Sequence, residues 1–385
     1  MHDRIYSSRR SGLDHWLEVE ADMAKGTVLL EEHKRLGAKI VDFAGFLMPI
    51  RYKGINAEHI NVRKNVGIFD VSHMGEVIIK GPEAGKAVDF LVTNAIAKVK
   101  PGRAVYSPVC YPEGGIVDDL IAYKVADDDY FICVNASNTD KDFEHFQKYV
   151  KGFDCELTNR SDEFSQVAIQ GPKARTLLAR FFGDEVVNMK PFRHKPANLY
   201  GRDVLLATTG YTGEQGYEVY MPNEIAAEFF RDLLTKGQDL GVAPIGLGAR
   251  DTLRMEMKYC LYGNDIDKNT TPLEADLAWT VKLNKPDFLG KDVLVKQQKN
   301  GLKRRLVAFV VEGKGIPRHG YKCFDNNNEI GVVTSGAMSP IIGKAFGLGY
   351  VAIDFAEPGS VFDIDVKGLF RTRAKVVRPP IHKNA

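Results

Sequence analysis

Cysteine is scarce: five residues in 385, at positions 110, 133, 155, 260 and 323. The total is odd and no pair has CxxC spacing, which argues against a disulfide framework or a structural zinc site and implies a reducing, cytoplasmic setting. The nine histidines are scattered without an HExxH motif, so no metal centre is expected. No apolar run approaches the ~20 residues of a membrane span. A surplus of one charge is lacking too. Lys and Arg number 52 against 50 Asp and Glu, a net of +2, which gives no footprint for nucleic-acid binding. Nucleotide signatures fail as well: Gly336 to Gly343-Lys344 is too widely spaced for a phosphate loop and has Ala345 where Ser or Thr is needed. Gly246-Leu-Gly248 has no third glycine, and no GxSxG elbow occurs.

What is present is an ordinary globular composition, 44% apolar and 26% charged. Residues 1–22 show no period and no apolar segment. Their Arg9 and Arg10 are offset by Asp3, Asp14, Glu18 and Glu20, so they fit neither a secretory signal nor a transit peptide and read as a flexible extension. From Lys25 the sequence alternates short strands and helices, and it echoes itself at an offset of about ninety residues. Residues 76–88 read as strand, Gly-Pro turn and helix, with Pro82 at the first helical position. Residues 166–178 repeat that layout with Pro172. Tyr130-Phe-Ile-Cys-Val-Asn135 leads into a helix over 140–149, and Tyr217-Glu-Val-Tyr-Met-Pro-Asn223 into one over 224–234, where Ala227, Phe230 and Leu234 recur at helical spacing. Either two related lobes face one another across a cleft, or common strand–helix units coincide. After about Gly301, short Val-, Ile- and Phe-rich runs punctuated by Gly, Pro and Asn imply an all-β barrel or sandwich. The linker is expected near 296–303.

Several polar groups stand in apolar surroundings. Gly114-Gly-Ile-Val-Asp118-Asp119-Leu-Ile-Ala-Tyr reads as a strand, with Ile116, Leu120 and Ala122 on one face and Val117, Ile121 and Tyr123 on the other. At least one aspartate is therefore expected to be buried, and it must pair, accept several hydrogen bonds or raise its pKa. The alternative is a carboxylate at the strand end that caps the Gly-Gly turn. In Thr208-Thr-Gly-Tyr211-Thr-Gly-Glu-Gln-Gly-Tyr-Glu218-Val the glycines allow close approach to a ligand. Glu218 there either accepts two parallel N–H donors of a flat heterocycle or lies on the surface of a long hairpin. Arg250 and Arg254 sit four apart on one helix. They form a solvated charge ladder, or one of them orders a site or meets an anionic ligand. His73, in Gly67-Ile-Phe-Asp-Val-Ser72-His73-Met74, reads as a buried histidine ahead of a catalytic base.

Together these segments resemble the aminomethyltransferase (T-protein) family of the glycine cleavage system. The likeness is carried by Asp42-Phe-Ala-Gly-Phe-Leu-Met-Pro, Gly67-Ile-Phe-Asp-Val-Ser-His-Met, Gly114-Gly-Ile-Val-Asp-Asp-Leu, Thr209-Gly-Tyr-Thr-Gly-Glu and Gly246-Leu-Gly-Ala-Arg-Asp-Thr-Leu-Arg. Leu261-Tyr-Gly-Asn-Asp-Ile-Asp, Thr271-Pro-Leu-Glu-Ala and Thr334-Ser-Gly complete a set running from about Val28 to Val377. Any one string is weak; the ordered set is specific.

The resemblance implies an α+β fold of two related lobes plus a C-terminal all-β barrel, in a cloverleaf around a central channel that holds folate. Residues 1–22 would be the extension, 23–300 the folate-binding catalytic region with an inserted lobe at about 77–160, and 301–385 the barrel. It implies transfer of the methylene of an aminomethyl group, carried on the lipoyl arm of the H-protein, to the co-substrate tetrahydrofolate, with release of ammonia. Asp118, the first aspartate of Gly-Gly-x-x-Asp-Asp, would be the catalytic carboxylate beside the reactive folate nitrogens. Glu218 would accept from the pterin edge, Arg250 would contact folate, and Asn135, Tyr211, Tyr106 and Met74 would line the same channel. The C-terminal Pro379-Pro-Ile-His-Lys-Asn-Ala departs from some members and receives no contact. The implied protein is cytoplasmic, has the H-protein as partner and is monomeric outside that complex, with no metal, nucleic acid or membrane involved. Two readings of the same fold stand as alternatives: a folate-dependent demethylase, and a folate-binding iron–sulfur assembly factor that is no transferase. The latter's Lys-Gly-Cys-Tyr type motif is replaced here by Lys258-Tyr-Cys260-Leu-Tyr-Gly.

Overall fold

Two sheets trace the same path through the chain. The computed structural model describes residues 24–384; the extension expected at 1–22 lies outside them. In the first lobe a lead strand, Gly75–Lys80, is followed by the helix Ala84–Leu91. A three-strand meander comes next (Arg103–Cys110, Ile116–Ala126, Asp129–Val134), then the helix Thr139–Val150 and a return strand, Glu156–Asn159. The second lobe repeats this with Phe164–Gln170, helix Ala174–Phe182, the meander His194–Leu199, Arg202–Ala207 and Gly216–Pro222, helix Asn223–Lys236 and return strand Val242–Pro244. Both sheets place the last meander strand beside the lead strand. The second differs by one wedge: Val66–Asp70 separates its lead strand from its return strand, which pairs with the wedge in parallel.

The repeat has a backbone cause. Gly81 and Gly171 close the two lead strands at φ +141° and +134°, a region that L side chains avoid. A Cβ would also stand 2.8 Å from the Asp154 carbonyl oxygen at Gly81 and 2.3 Å from that of Asn65 at Gly171. Pro82 and Pro172 fall in these turns, and the helices start two residues further on, at Ala84 and Ala174. Counting back from each glycine gives equivalent rungs: Ile78 pairs with Phe131, and Ala168 with Glu218.

Each sheet covers its own two helices with one face. In the second lobe the helix Asn223–Lys236 buries Ile225, Ala226, Phe229, Phe230 and Leu233. That stripe is rotated by one residue from the expected Ala227, Phe230 and Leu234, because Phe229 must meet Phe181 and Phe182 of the neighbouring helix, at ring separations of 5.3 and 6.4 Å. The opposite faces of the two sheets meet in an aromatic seam. Tyr123, Phe131 and Cys133 from one lobe pack on Ala207 and Tyr220 from the other. Phe131 lies 4.9 Å from the Tyr220 ring, and the Tyr123 and Tyr220 hydroxyls share a 2.9 Å hydrogen bond. Such edge-to-face pairs contribute about 1 kcal/mol each beyond burial.

Six antiparallel strands close the C-terminal barrel: Arg304–Val311, Lys322–Asp325, Asn328–Met338, Ala345–Ala352, Val361–Val366 and Phe370–Val377. Alternation along its first strand is strict. Val307, Phe309 and Val311 fill the barrel, while Leu306, Ala308 and Val310 turn outward onto Ile116 and Met255 of the lobes. The segment expected as linker is mostly a helix, Lys291–Asn300, whose Lys- and Gln-rich face is solvated while Leu294 is buried. No helix among the described residues is long and apolar enough to cross a membrane.

Charged clamps join barrel and lobes. Arg254 pairs with Asp265 and donates to Ser335 Oγ, while Asp265 accepts from Thr334 and Ser335. Glu256, wholly buried, accepts from His59, Arg63 and Ser339. Burial alone would push this carboxyl up, yet His59, Arg63 and Ser339 outweigh it and hold it at about 2. Folding thus lowers its pKa, so the stabilisation is complete above the unfolded value near 4.5 and is lost as pH falls toward 2. Glu256→Gln is expected to remove about 3 kcal/mol at pH 7 and flatten the acid limb of stability. Denaturant melts from pH 7 to pH 3 check this: equal stability of both proteins at pH 7 would refute it.

Candidate active site

The Gly-Gly turn feeds a strand whose alternation is broken at its first rungs. Cys110 pairs with Ile116 but Val109 pairs with Asp118, leaving Val117 as a bulge. The extra residue shifts the phase: Val117 packs with Leu120 and Ala122 toward the helices, instead of with Ile121 and Tyr123. Asp118, in regular alternation with Leu120 and Ala122, lies on the helix side and is fully buried, while Asp119 remains partly accessible. Of the two adjacent acids, Asp118 is thus enclosed and Asp119 is the one that keeps access.

Asp118 is held by three donors: the Asn135 backbone N–H at 3.1 Å, Asn135 Nδ2 at 2.9 Å and Asn138 Nδ2 at 2.7 Å. Asp119 accepts from the Tyr106 hydroxyl at 2.9 Å and from Asn135 Nδ2 at 3.0 Å. Burial and the adjacent Asp118 charge push the Asp119 carboxyl up to about 7, against the pull of these two donors. An acid so placed changes protonation near neutrality, as a group in proton transfer needs to.

Glu218 projects from the strand Gly216–Pro222 on the seam side of the second lobe. Thr209 Oγ1 donates to one carboxylate oxygen at 2.5 Å and Gln166 Nε2 to the other at 3.0 Å. Each oxygen keeps a lone pair for a further donor. Burial raises this carboxyl, and Arg250 is among the groups pulling it back. The cavity in front of it, about 20 Å3, is lined by Phe69, Val71, Ala168, Tyr211, Glu218 and Arg250 among others.

Tyr211 lines the cavity beside Glu218 and feels the charge of Asp119. The Arg250 guanidinium lies 4.7 Å from the centre of its ring, its hydroxyl donates to the Cys260 carbonyl, and both Arg250 and Asp119 act on its ionisation. Asp119 and Tyr211 likewise act on Tyr106. Of the two arginines, Arg250 faces the cavity and Arg254 locks to the barrel. Met74 bridges the cavity wall and the seam. His73 is buried, neutral and stacked edge-on to Phe43 at 5.7 Å; burial and the Arg250 charge depress it to about 4.

Tyr106, Met74, Asn135, Tyr211, Glu218 and Arg250 all keep partial access, as Asp119 does. Three further residues join this region without a sequence signal that singled them out. Gln166 orients Glu218. Trp279, 60% exposed and one of two tryptophans, stacks on Tyr106 with ring centres 5.9 Å apart. Glu76, paired across the ladder with Cys133, is buried with neither carboxyl oxygen bonded to a donor among the described residues.

Comparison with known proteins gives a consistent answer. The family model described as GCVT N-terminal domain matches residues 29–285, and that described as Glycine cleavage T-protein C-terminal barrel domain matches 304–383. The chain is 46% identical over 356 residues to an aminomethyltransferase of Halothermothrix orenii, covering 92% of this chain and 99% of that one. It is 48% identical over 358 residues to one of Bdellovibrio bacteriovorus, with 92% and 99% coverage. Its fold is similar to the crystal structure of glycine cleavage system aminomethyltransferase T from Bartonella henselae, with a TM-score of 0.86, 32% identity, and coverage of 93% and 98%. The demethylase and assembly-factor readings gain no support from these relatives.

Proposed function

The chain belongs to the glycine cleavage T-protein family of aminomethyltransferases and is a transferase; from that premise we propose that it moves the methylene of an S-aminomethyl group, held on the lipoyl arm of the H-protein, to tetrahydrofolate. The products are 5,10-methylenetetrahydrofolate, ammonia and the dihydrolipoyl H-protein. The reaction takes place in the cytoplasm, in a catalytic region spanning 23–300 beside the barrel at 301–385. The observation that carries this reading is a cavity lined by Glu218, Arg250 and Tyr211, with the partly accessible Asp119 near enough to act on the same tyrosine.

The donor set fits a reduced pterin. Its flat edge is rich in N–H groups, which suit the free lone pairs of Glu218, and Phe69, Val71 and Ala168 supply an apolar wall. Tetrahydrofolate supplies the two amines that take up the methylene as the C–N and then the C–S bond breaks. Asp119 is the catalytic carboxylate of this proposal. It stabilises the positive charge that develops at the methylene carbon and attacking nitrogen, and it accepts the proton that nitrogen sheds. Tyr106 and Asn135 fix its orientation, and Asp118 serves from behind. Thr209, Arg250 and Gln166 oppose the rise that burial imposes on the Glu218 carboxyl.

The test is ammonia release from aminomethylated H-protein with and without tetrahydrofolate. Release is expected to rise at least about tenfold with tetrahydrofolate, since a second reactant held in place lowers the barrier. Release at the same rate without it would sink the reading.

A further inference from the structure

On the helix side of the Asp118 strand lies a second carboxyl group that the reaction does not touch. Asp142, in the first turn of the helix Thr139–Val150, is fully buried, and neither of its oxygens meets a donor among the described residues. Asn138, at the start of this helix, donates to Asp118, and Lys141, next to Asp142, donates to the Val117 carbonyl, so the turn lies on the Asp118 strand and the two carboxyls meet. Two such acids in contact cannot both be ionised. The donors decide between them: Asp118 has three, from Asn135 and Asn138, and Asp142 has none. The charge belongs to Asp118 and the hydrogen to Asp142. Burial and the Asp118 charge act in the same sense, pushing the Asp142 carboxyl well up.

The other charged and titratable groups around the pair leave that assignment in place. Lys141, on the same helix, donates to the Val117 carbonyl at 2.5 Å and stands 3.9 Å from the centre of the Tyr262 ring. Burial lowers its ammonium and the three aspartates raise it. Tyr111 and Tyr262 face Asp142 from the strand side and are pushed up, so they stay neutral. His145, one turn on, is depressed to about 4 and uncharged at neutral pH. Asp119 lies beyond Asp118, and Asn135 Nδ2 spans the two at 2.9 and 3.0 Å.

We propose that Asp142 and Asp118 form a proton-sharing carboxyl pair, Asp142 holding the hydrogen and Asp118 the charge, that positions Asn135 against Asp119 and keeps Asp119 receptive to a proton. Both are positioning residues, acting through Asn135. The proposal rests on Asp119 as the acting carboxylate.

The test measures the pH dependence of turnover for wild type, D118N, D142N and D142L, with thermal midpoints to verify folding. It adds the infrared carbonyl difference of wild type minus D142N at neutral pH. Wild-type turnover rises with pH as Asp119 ionises. D118N deletes the neighbouring charge, so its rising limb moves to lower pH by on the order of one unit. D142N still offers a donor to Asp118 and keeps the limb in place, whereas D142L offers none and loses about tenfold more turnover than D142N. The infrared difference contains the band of a protonated carboxylic acid, and that band shifts in a D118N background. A stationary limb in D118N, equal losses in D142N and D142L, or no acid band overturns the proposal. Absence of tetrahydrofolate-dependent transfer in the wild type would overturn the functional reading instead, with the infrared measurement still deciding the pair.

Discussion

Asp119→Asn is expected to lower turnover roughly a hundred- to ten-thousand-fold while tetrahydrofolate affinity changes by no more than a few-fold. Asparagine keeps the shape and still accepts the Tyr106 hydroxyl bond seen at 2.9 Å, so the cavity wall survives. What it loses is a full negative charge beside the reacting atoms. At about 4 Å and an effective dielectric near 20, a unit charge acts on a developing cation with roughly 4 kcal/mol, which alone is about a thousandfold in rate. The lost proton acceptor adds to it. Asp118→Asn removes a charge one layer back, with all three of its donors on the protein side, and should cost much less. Steady-state ammonia release and binding calorimetry on both variants separate the roles. A larger loss in D118N than in D119N would return the acting role to the buried acid.

Glu218→Ala acts on the other term, affinity. The substitution strips the acceptor from the pterin edge and also orphans Thr209 Oγ1 and Gln166 Nε2, which the carboxylate satisfies at 2.5 and 3.0 Å. Charge-assisted hydrogen bonds contribute about 1.5–3 kcal/mol each. Two lost together amount to about 4 kcal/mol, roughly a thousandfold in Kd. Turnover at saturating folate should fall far less, because Asp119 is untouched. Glu218→Gln, which accepts with one oxygen only, should fall between the two. Calorimetric titration decides: an unchanged Kd in the alanine variant would mean that the pterin edge lies elsewhere.

The two lobes were legible in sequence because a backbone constraint forces the same residue into both: Gly81 and Gly171 each need a positive φ and lack room for a Cβ. The barrel was legible because its inward and outward residues are nearly all Val, Ile, Leu and Phe. The acidic character of the site could be read as well, since Asp118-Asp119 and Glu218 interrupt apolar strands. Which aspartate opens on the cavity could not. Alternation separates the two acids, Asp118 with Leu120 and Ala122 and Asp119 with Ile121 and Tyr123, but both faces are apolar and nothing in the string says which one the helices cover. Asp142 was invisible for another reason: an acid in the first turn of a helix is what the helix dipole favours. Only the packed structure reveals that Asp142 is buried against Asp118. The same holds for Lys291–Asn300, whose polar composition resembles a linker until Leu294 is seen to anchor it.

Phe131 and Glu218 stand on matching rungs of the repeated unit, opposite Ile78 and Ala168. One copy keeps a greasy ring there, packed in the seam against Tyr220, and the other a carboxylate that lines the cavity. Divergence at that one pair of positions lets the same rung serve cohesion between the lobes in one copy and an open acceptor in the other.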